Sequence, residues 1–97
     1  MVKLALLARL EAKPGKEKEV AEFIKGALPL AKEEPDTIHW FALQMGPSTF
    51  GIFDTFEKEE GRKAHLSGKI AQALMAKAPD LFSQPPVIEQ VELLAVK

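Results

Sequence analysis

Two residues of this 97-residue chain, His65 and Asp54, have side chains suited to proton transfer. Imidazole titrates near neutral pH, so His65 could act as a general base or as a hydrogen-bond partner of a phenolic oxygen. Asp54 lies four residues after Phe50 in a predicted strand, so both side chains point to the same apolar face. A carboxylate on such a face needs a partner because burying it alone is costly. His65 is the first candidate partner, with Arg62 and Lys58 as rivals. An Asp–His pair would fix the imidazole tautomer and raise its basicity.

The residues alone leave other roles open for both side chains. Gly61, Ala64 and Gly68 share the helical face of His65. Such small residues could leave room for a ligand, or they could let the helix lie close to a sheet. A lone histidine on a helix can be structural, and Asp54 could cap the following helix or form a surface salt bridge.

Aromatic residues on the same side of the predicted sheet could hold a planar substrate. Trp40 is the only tryptophan, and its strand parity matches that of Ile38 and Ala42, on the face that we expect helices to cover. It could stack on an aromatic ring and donate its indole N–H, or it could belong to the core. Phe50 and Phe56 could extend the same apolar wall.

The residue inventory argues against several other functions. Thirteen basic and fourteen acidic side chains give a net charge of -1, without the basic excess of a nucleic-acid surface. Two histidines without cysteine form no recognisable metal site, and no glycine-rich phosphate loop or nucleophile elbow is present. The N-terminal apolar run is interrupted by Lys3 and Arg9 and is too short for a membrane span. We therefore expect a soluble, cytoplasmic protein without a bound metal or cofactor.

A succession of strands and helices must position these residues. Hydrophobic periodicity predicts the order β-α-β-β-α-β: a strand in 2–12, a helix in 16–34, a hairpin in 37–56, a helical segment in 57–80 and a strand in 85–97. Pro29 should kink or end the first helix, Gly68 should divide the second, and Pro79 should end it. This order predicts one α+β domain, residues 1–97, with a ferredoxin-like four-stranded antiparallel sheet.

The hairpin strands lack the apolar–polar alternation of a half-buried strand. Two helices can cover only one face of the sheet, and apolar residues would also lie on the other face: Leu7, Phe41, Leu43, Met45 and Phe53. A patch of this kind usually marks an interface. We therefore expect a homodimer with two sheets packed face to face. His39 and Arg9 lie on the same side and should have structural roles at that interface.

Three segments of the chain, "EAKPGKEKEVAEF", "EEPDTIHWFAL" and "FGIFDTFEKEEGRKAHLSG", resemble the antibiotic biosynthesis monooxygenase family of small dimeric α+β barrel proteins. The likeness covers nearly the whole chain. Asp36 replaces the glycine that is usual in the family's turn. The positions that match the family pattern are Lys13 to Glu17, Glu34-Pro35-Asp36, Trp40, Asp54, Phe56 and His65.

The resemblance implies the same split fold, a dimer of apposed sheets and a pocket between the sheet and the helices of each subunit. Characterised members oxidise phenolic or hydroquinone-like substrates with molecular oxygen and without bound metal or flavin, and related members degrade haem. This chain has no Tyr and no Asn, whereas phenol-oxidising members are associated with both. The haem degraders' pocket Asn and Trp align with Ala8 and Phe56, which argues against haem degradation.

Three functional hypotheses follow. The first is a cofactor-independent monooxygenase that oxidises a small aromatic quinol or phenol. In it His65 is the base and Asp54 orients it, while the ring contacts Trp40, Phe50, Phe56 and Ala8. The second is a non-enzymatic dimer that binds a small ligand or takes part in a stress response. The third is haem binding through His65.

Overall fold

Four strands and four helices make up the chain, and the computed structural model describes residues 1–97. The predicted order is confirmed, with each predicted helical segment divided in two. Pro29 lies in the first turn of its helix, where a missing backbone donor is tolerated. Gly68 precedes the fourth helix and separates it from the third. The bounds are β1 Leu4–Glu11, α1 Glu17–Gly26, α2 Leu28–Lys32, β2 Thr37–Gln44, β3 Thr49–Phe56, α3 Glu59–Leu66, α4 Lys69–Leu81 and β4 Val87–Glu92.

The prediction that Pro79 ends the last helix is wrong, because α4 continues through it to Leu81. A proline removes only one backbone donor, and the rest of the final turn is held by burial of Leu81 and Phe82. The Phe82 amide still donates to the carbonyl of Ala78 at 3.0 Å. The ammonium group of Lys13 donates to the Pro79 carbonyl at 2.6 Å.

The sheet is antiparallel throughout, with the strand order β2-β3-β1-β4 of the predicted ferredoxin-like fold. Strand β3 is central, and Asp54 lies in its second half. Asp54 pairs in register with Leu6 on β1 and with Trp40 on β2. The sheet therefore places this carboxylate between two apolar neighbours, on the face that the helices cover.

The core lies between this covered face and the helices. Alternate residues of β3, including Phe50 and Phe56, are almost fully buried. Phe50 joins one apolar cluster with Val20 of α1 and Leu74 of α4. The inward-facing aromatic residues of β3 thus fill the space between the layers.

The opposite face of the sheet carries no helix. Phe41 is 49% exposed and Met45 is 41% exposed. His39 Nδ1 lies 3.0 Å from Thr55 Oγ1 on this face, and Arg9 donates to Glu89 at 3.2 Å. The remaining members of the predicted patch, Leu7, Leu43 and Phe53, are partly buried. None of the helices combines the length and hydropathy that crossing a bilayer requires.

Candidate active site

Helix α3 carries His65 over the covered face, and two glycines let it approach closely. A Cβ on Gly61 would lie 2.8 Å from Asp36 Cβ, and one on Gly68 would lie 3.2 Å from Glu34 Oε2. A larger side chain at position 61 would therefore push α3 away from the turn between α2 and β2, whereas one at position 68 would meet the end of the flexible Glu34 side chain. Gly61 serves close packing of the helix, and Gly61, Ala64 and Gly68 also border a surface depression, so both interpretations that the sequence leaves open have support.

His65 makes a hydrogen bond at each ring nitrogen. Its Nε2 lies 2.7 Å from Asp54 Oδ2, and its Nδ1 lies 2.6 Å from Glu34 Oε1. The structure thus contains the Asp–His pair that the sequence suggested. The rival Arg62 instead pairs with Glu59 at 2.7 Å.

Glu34 is the member of this triad that the sequence analysis missed. Its Oε1 accepts a second hydrogen bond from Thr37 Oγ1, at 2.7 Å. Besides its place in the turn that matches the family pattern, its sequence signal is the spacing of three between Glu34 and Thr37 in "EEPDT", which lets the threonine hydroxyl fix the carboxylate. Nothing in the spacing connects residue 34 with residue 65, since their contact depends on how α3 packs.

The triad is buried unevenly. The Asp54 side chain is 2% exposed, that of His65 9% and that of Glu34 22%. Burial alone would lower the pKa of His65, but the hydrogen bonds and charges of Asp54 and Glu34 outweigh it and raise the pKa to about 9. His65 is therefore an imidazolium at neutral pH, hydrogen-bonded between two carboxylates.

Burial also dominates the behaviour of Asp54. It raises the pKa of this carboxyl above the ordinary range, against the opposing hydrogen bond and charge of His65. While Oδ2 bonds to His65, Oδ1 is buried and has no hydrogen-bond partner. A desolvated carboxylate oxygen with a free lone pair is a stronger proton acceptor than an exposed aspartate.

A small apolar cavity of about 30 Å³ lies beside this pair. Asp54 and His65 are its polar residues, and the rest of its lining is Leu6, Ala8, Ile52, Leu66, Ile70, Ala71, Leu74 and Ile88. The volume suffices for a water molecule, whereas the apolar cavity known to bind benzene in another protein measures about 150 Å³. An aromatic ring therefore enters only if the lining side chains move.

The structure brings some predicted site residues together and leaves others apart. Ala8 lines the cavity, but Trp40, Phe50 and Phe56 do not. Phe56 is fully buried, and its ring centroid lies 5.5 Å from that of His65. Trp40 packs on the core, and its indole nitrogen is buried without a partner.

A second depression, which we call the acidic cleft, lies on the outer side of His65. It has a volume of about 170 Å³. His65 is the one residue that lines both the cavity and the cleft. The imidazole therefore separates an apolar interior from a polar surface. The acidic cleft is lined by Glu33, Glu34, Pro35, Asp36, Thr37, Gly61, Ala64, His65 and Gly68.

Solved structures show the same arrangement of strands and helices. A putative antibiotic biosynthesis monooxygenase from Nitrosomonas europaea superposes with a TM-score of 0.82 at 15% identity, over 95% of this chain and 90% of that one. Its counterpart from Caulobacter crescentus CB15 gives 0.80 at 16% identity, over 97% and 92%. The chain has the fold of these proteins, as the sequence resemblance predicted.

A much closer likeness is found with a protein of unknown function from Nitrosomonas europaea. The two chains are 63% identical with a TM-score of 0.98, over 100% of this chain and 94% of the other. The chain belongs to the same family as that protein. No family model matches the sequence. No curated protein matches it either.

Proposed function

We propose that this protein is a monooxygenase that oxidises a small aromatic phenol or quinol with molecular oxygen, and that Asp54 is its base. One observation carries the proposal: the buried Oδ1 of Asp54 has no hydrogen-bond partner, and Asp54 lines an apolar cavity. A buried carboxylate oxygen with no protein partner is an acceptor that a phenolic hydroxyl would satisfy by donating its proton.

This proposal reverses the roles that the sequence suggested for Asp54 and His65. A general base needs a free lone pair, but both ring nitrogens of His65 are already hydrogen-bonded to carboxylates. His65 therefore serves as a fixed positive charge, while Asp54 accepts the proton. The same argument disfavours haem binding, because iron would need one of those nitrogens.

The chemistry balances without a bound electron carrier. A phenol and O₂ give a quinone and water: one oxygen atom enters the ring, the other leaves as water, and the ring supplies every electron. Loss of the hydroxyl proton to Asp54 makes the ring electron-rich enough to react with oxygen. The imidazolium of His65 would stabilise the negative charge that appears on the phenolate and then on the reduced oxygen.

The size of the cavity limits which substrates the proposed enzyme can admit. A cavity of about 30 Å³ must widen to admit a ring. Ile88 is the obvious side chain to move, since it is 38% exposed and belongs to the edge strand β4. The roles of Trp40, Phe50 and Phe56 in holding the ring stay predictions, because such contacts would need further widening.

Oxygen uptake with a panel of phenols and hydroquinones tests the proposal. We expect Asp54→Asn to lower turnover at least about 100-fold, since general-base catalysis is typically worth that much. Asp80→Asn, an exposed carboxylate change on α4, should leave turnover unchanged. Equal turnover in the two variants would contradict Asp54 as the base.

Non-enzymatic ligand binding is the alternative that the small size of the cavity favours. In that case the phenols would bind without oxygen uptake. Trp40 is the only tryptophan and packs against the core cluster that Ala8, Ile52 and Leu74 of the cavity lining share, so its fluorescence should report binding. Quenching by a phenol together with no oxygen consumption would select this alternative.

We also propose that the protein is a homodimer formed through the open sheet face. The exposed Phe41 and Met45, beside the partly buried Leu43 and Phe53, support this, because an exposed apolar patch usually marks an interface. Phe41→Lys should then give monomers in light scattering, whereas Met75→Lys, at an exposed apolar position on α4, should not. A monomeric parent protein at micromolar concentration would contradict the dimer. The cytoplasmic location stays a prediction.

A further inference from the structure

We propose that Glu34 keeps His65 positively charged at the moment when Asp54 takes up the substrate's proton. The inference rests on the function proposed above and gives Glu34 a positioning role, since it acts through His65 and not on the substrate. It is carried by the geometry of the triad, in which one imidazole bridges a buried carboxylate and a partly exposed one.

The two carboxylates face different surroundings. Asp54 lines the apolar cavity, and Glu34 lines the acidic cleft. In the resting triad two negative charges flank one positive charge, so the net charge is -1. When a phenol O–H bond breaks and an O–H bond forms at Asp54 Oδ1, the triad becomes neutral and the phenolate carries the -1.

Neutral Asp54 no longer balances the charge of His65. A buried imidazolium without a counter-charge is costly, and it would tend to lose its proton. The cation would then disappear just when the phenolate needs it. Glu34 prevents this, because its bond to Nδ1 does not depend on the protonation state of Asp54.

No other group near His65 can supply this second counter-charge. Arg62, one turn earlier on α3, points to the carbonyls of Ala5 and Val91 and to Glu59. Helix α4 and strand β4 contribute only apolar side chains to the cavity. Glu33 and Asp36 line the acidic cleft, but neither bonds to the ring.

Glu34 is less buried than Asp54 and is held in place by a second hydrogen bond. Its side chain is 22% exposed, so solvation of its charge is partly retained, whereas the Asp54 side chain is 2% exposed. Thr37 donates to Oε1, the oxygen that also bonds to His65.

The test uses Asp54→Asn as a mimic of the protonated aspartate, with histidine side-chain NMR as the readout. In this variant we expect His65 to titrate above pH 7. In the double variant with Glu34→Gln, whose amide keeps the shape but lacks the charge, the midpoint should fall to about 6.5 or below. The matched double variant with Glu33→Gln should behave like Asp54→Asn alone.

Equal midpoints in Asp54→Asn and its Glu34→Gln derivative would overturn the proposal. If circular dichroism shows that Asp54→Asn does not fold, the single variants decide. Glu34→Gln must then lower the midpoint of His65 from about 9, and Glu33→Gln must not. Glu34→Asp, which restores a carboxylate, should recover much of the lost shift.

Kinetics separate this proposal from the proposed function. If a phenol is turned over, Glu34→Gln should lower kcat at least about tenfold with little change in KM, because the charge matters only after proton transfer. A large rise in KM alone would indicate a structural role and contradict the proposal. If no phenol is oxidised, the proposed function fails, while the NMR titrations still decide the role of Glu34.

Discussion

The two faces of the sheet carry similar side chains, but these are buried on one face and exposed on the other. On the covered face Phe50, Phe56 and Asp54 are all almost fully buried, and the carboxylate pairs with His65. On the open face Phe41 is 49% exposed and Arg9 is paired only with the exposed Glu89. The difference teaches that the helices, and not the strand residues themselves, decide which face can hold a buried charge.

Replacing one phenylalanine on each face should give the largest contrast. Phe50→Ala should lower the free energy of unfolding by about 3–5 kcal/mol, because it leaves a cavity in the closed core. Phe41→Ala should cost less than about 1 kcal/mol in dilute solution, since its side chain is half exposed. Urea unfolding at two protein concentrations measures both. Equal losses would remove the contrast, and a Phe41→Ala cost that grows with protein concentration would support the dimer.

Raising the pH should destabilise the protein through the covered face. The pKa of His65 is about 9 in the folded chain, against about 6.5 in an unfolded one. The folded state therefore binds more protons between these values, and stability present below pH 6.5 is lost as the pH rises through 9. The loss should be on the order of 3 kcal/mol, since the two pKa values differ by about 2.5 units and one unit is worth about 1.4 kcal/mol.

Two histidine variants test whether His65 causes this pH dependence of stability. His65→Gln should flatten the stability curve between pH 6.5 and 9, whereas His39→Gln, on the open face, should leave its slope intact. Chemical denaturation across that range is the measurement. A slope that persists in His65→Gln would show that other groups cause it.

Replacing the two arginines should change the free energy of unfolding by smaller amounts. Arg62→Ala should cost about 2 kcal/mol, because its buried guanidinium donates to two backbone carbonyls and Glu59. Arg9→Ala should cost about 0.5 kcal/mol or less, as is usual for exposed ion pairs. Thermal and urea unfolding of both variants provide the comparison, and similar values would contradict the assignment of Arg62 as a structural tie.

Two helical glycines should give the smallest effect and opposite signs. Gly61→Ala should cost about 1–2 kcal/mol, because its Cβ would meet Asp36 Cβ at 2.8 Å. Gly26→Ala has open space around it and should stabilise the chain by up to about 1 kcal/mol through helix propensity. Gly61→Ala should also shift the NMR signal of His65, and an unchanged signal would show that α3 is not displaced.

Much of the fold follows from the sequence, because its periodicities are strong and local. The strand parity of Asp54 and the helical position of His65 were enough to suggest their pairing. The end of α4 is mispredicted because the burial of Leu81 outweighs the local effect of Pro79. That burial depends on contacts with distant residues, which no local pattern contains.

The site itself was predicted only in part. Parity placed Phe50 and Phe56 on the correct face, but it cannot tell a residue that lines a cavity from one that fills it. Glu34 was missed because its contact with His65 spans two separate elements and depends on the space left by Gly61 and Gly68. Once that third partner is known, Asp54 replaces His65 as the proposed base.

Arg62 connects the site to the edge of the sheet. It bonds to the carbonyl of Val91 on β4 and lies three residues before His65 on the same helix. Ile88, which borders the cavity, is on that strand too. Moving β4 outward to admit a ring would stretch the Arg62–Val91 bond and pull on α3. Entry of a ligand would thus displace the helix that holds the charged imidazole.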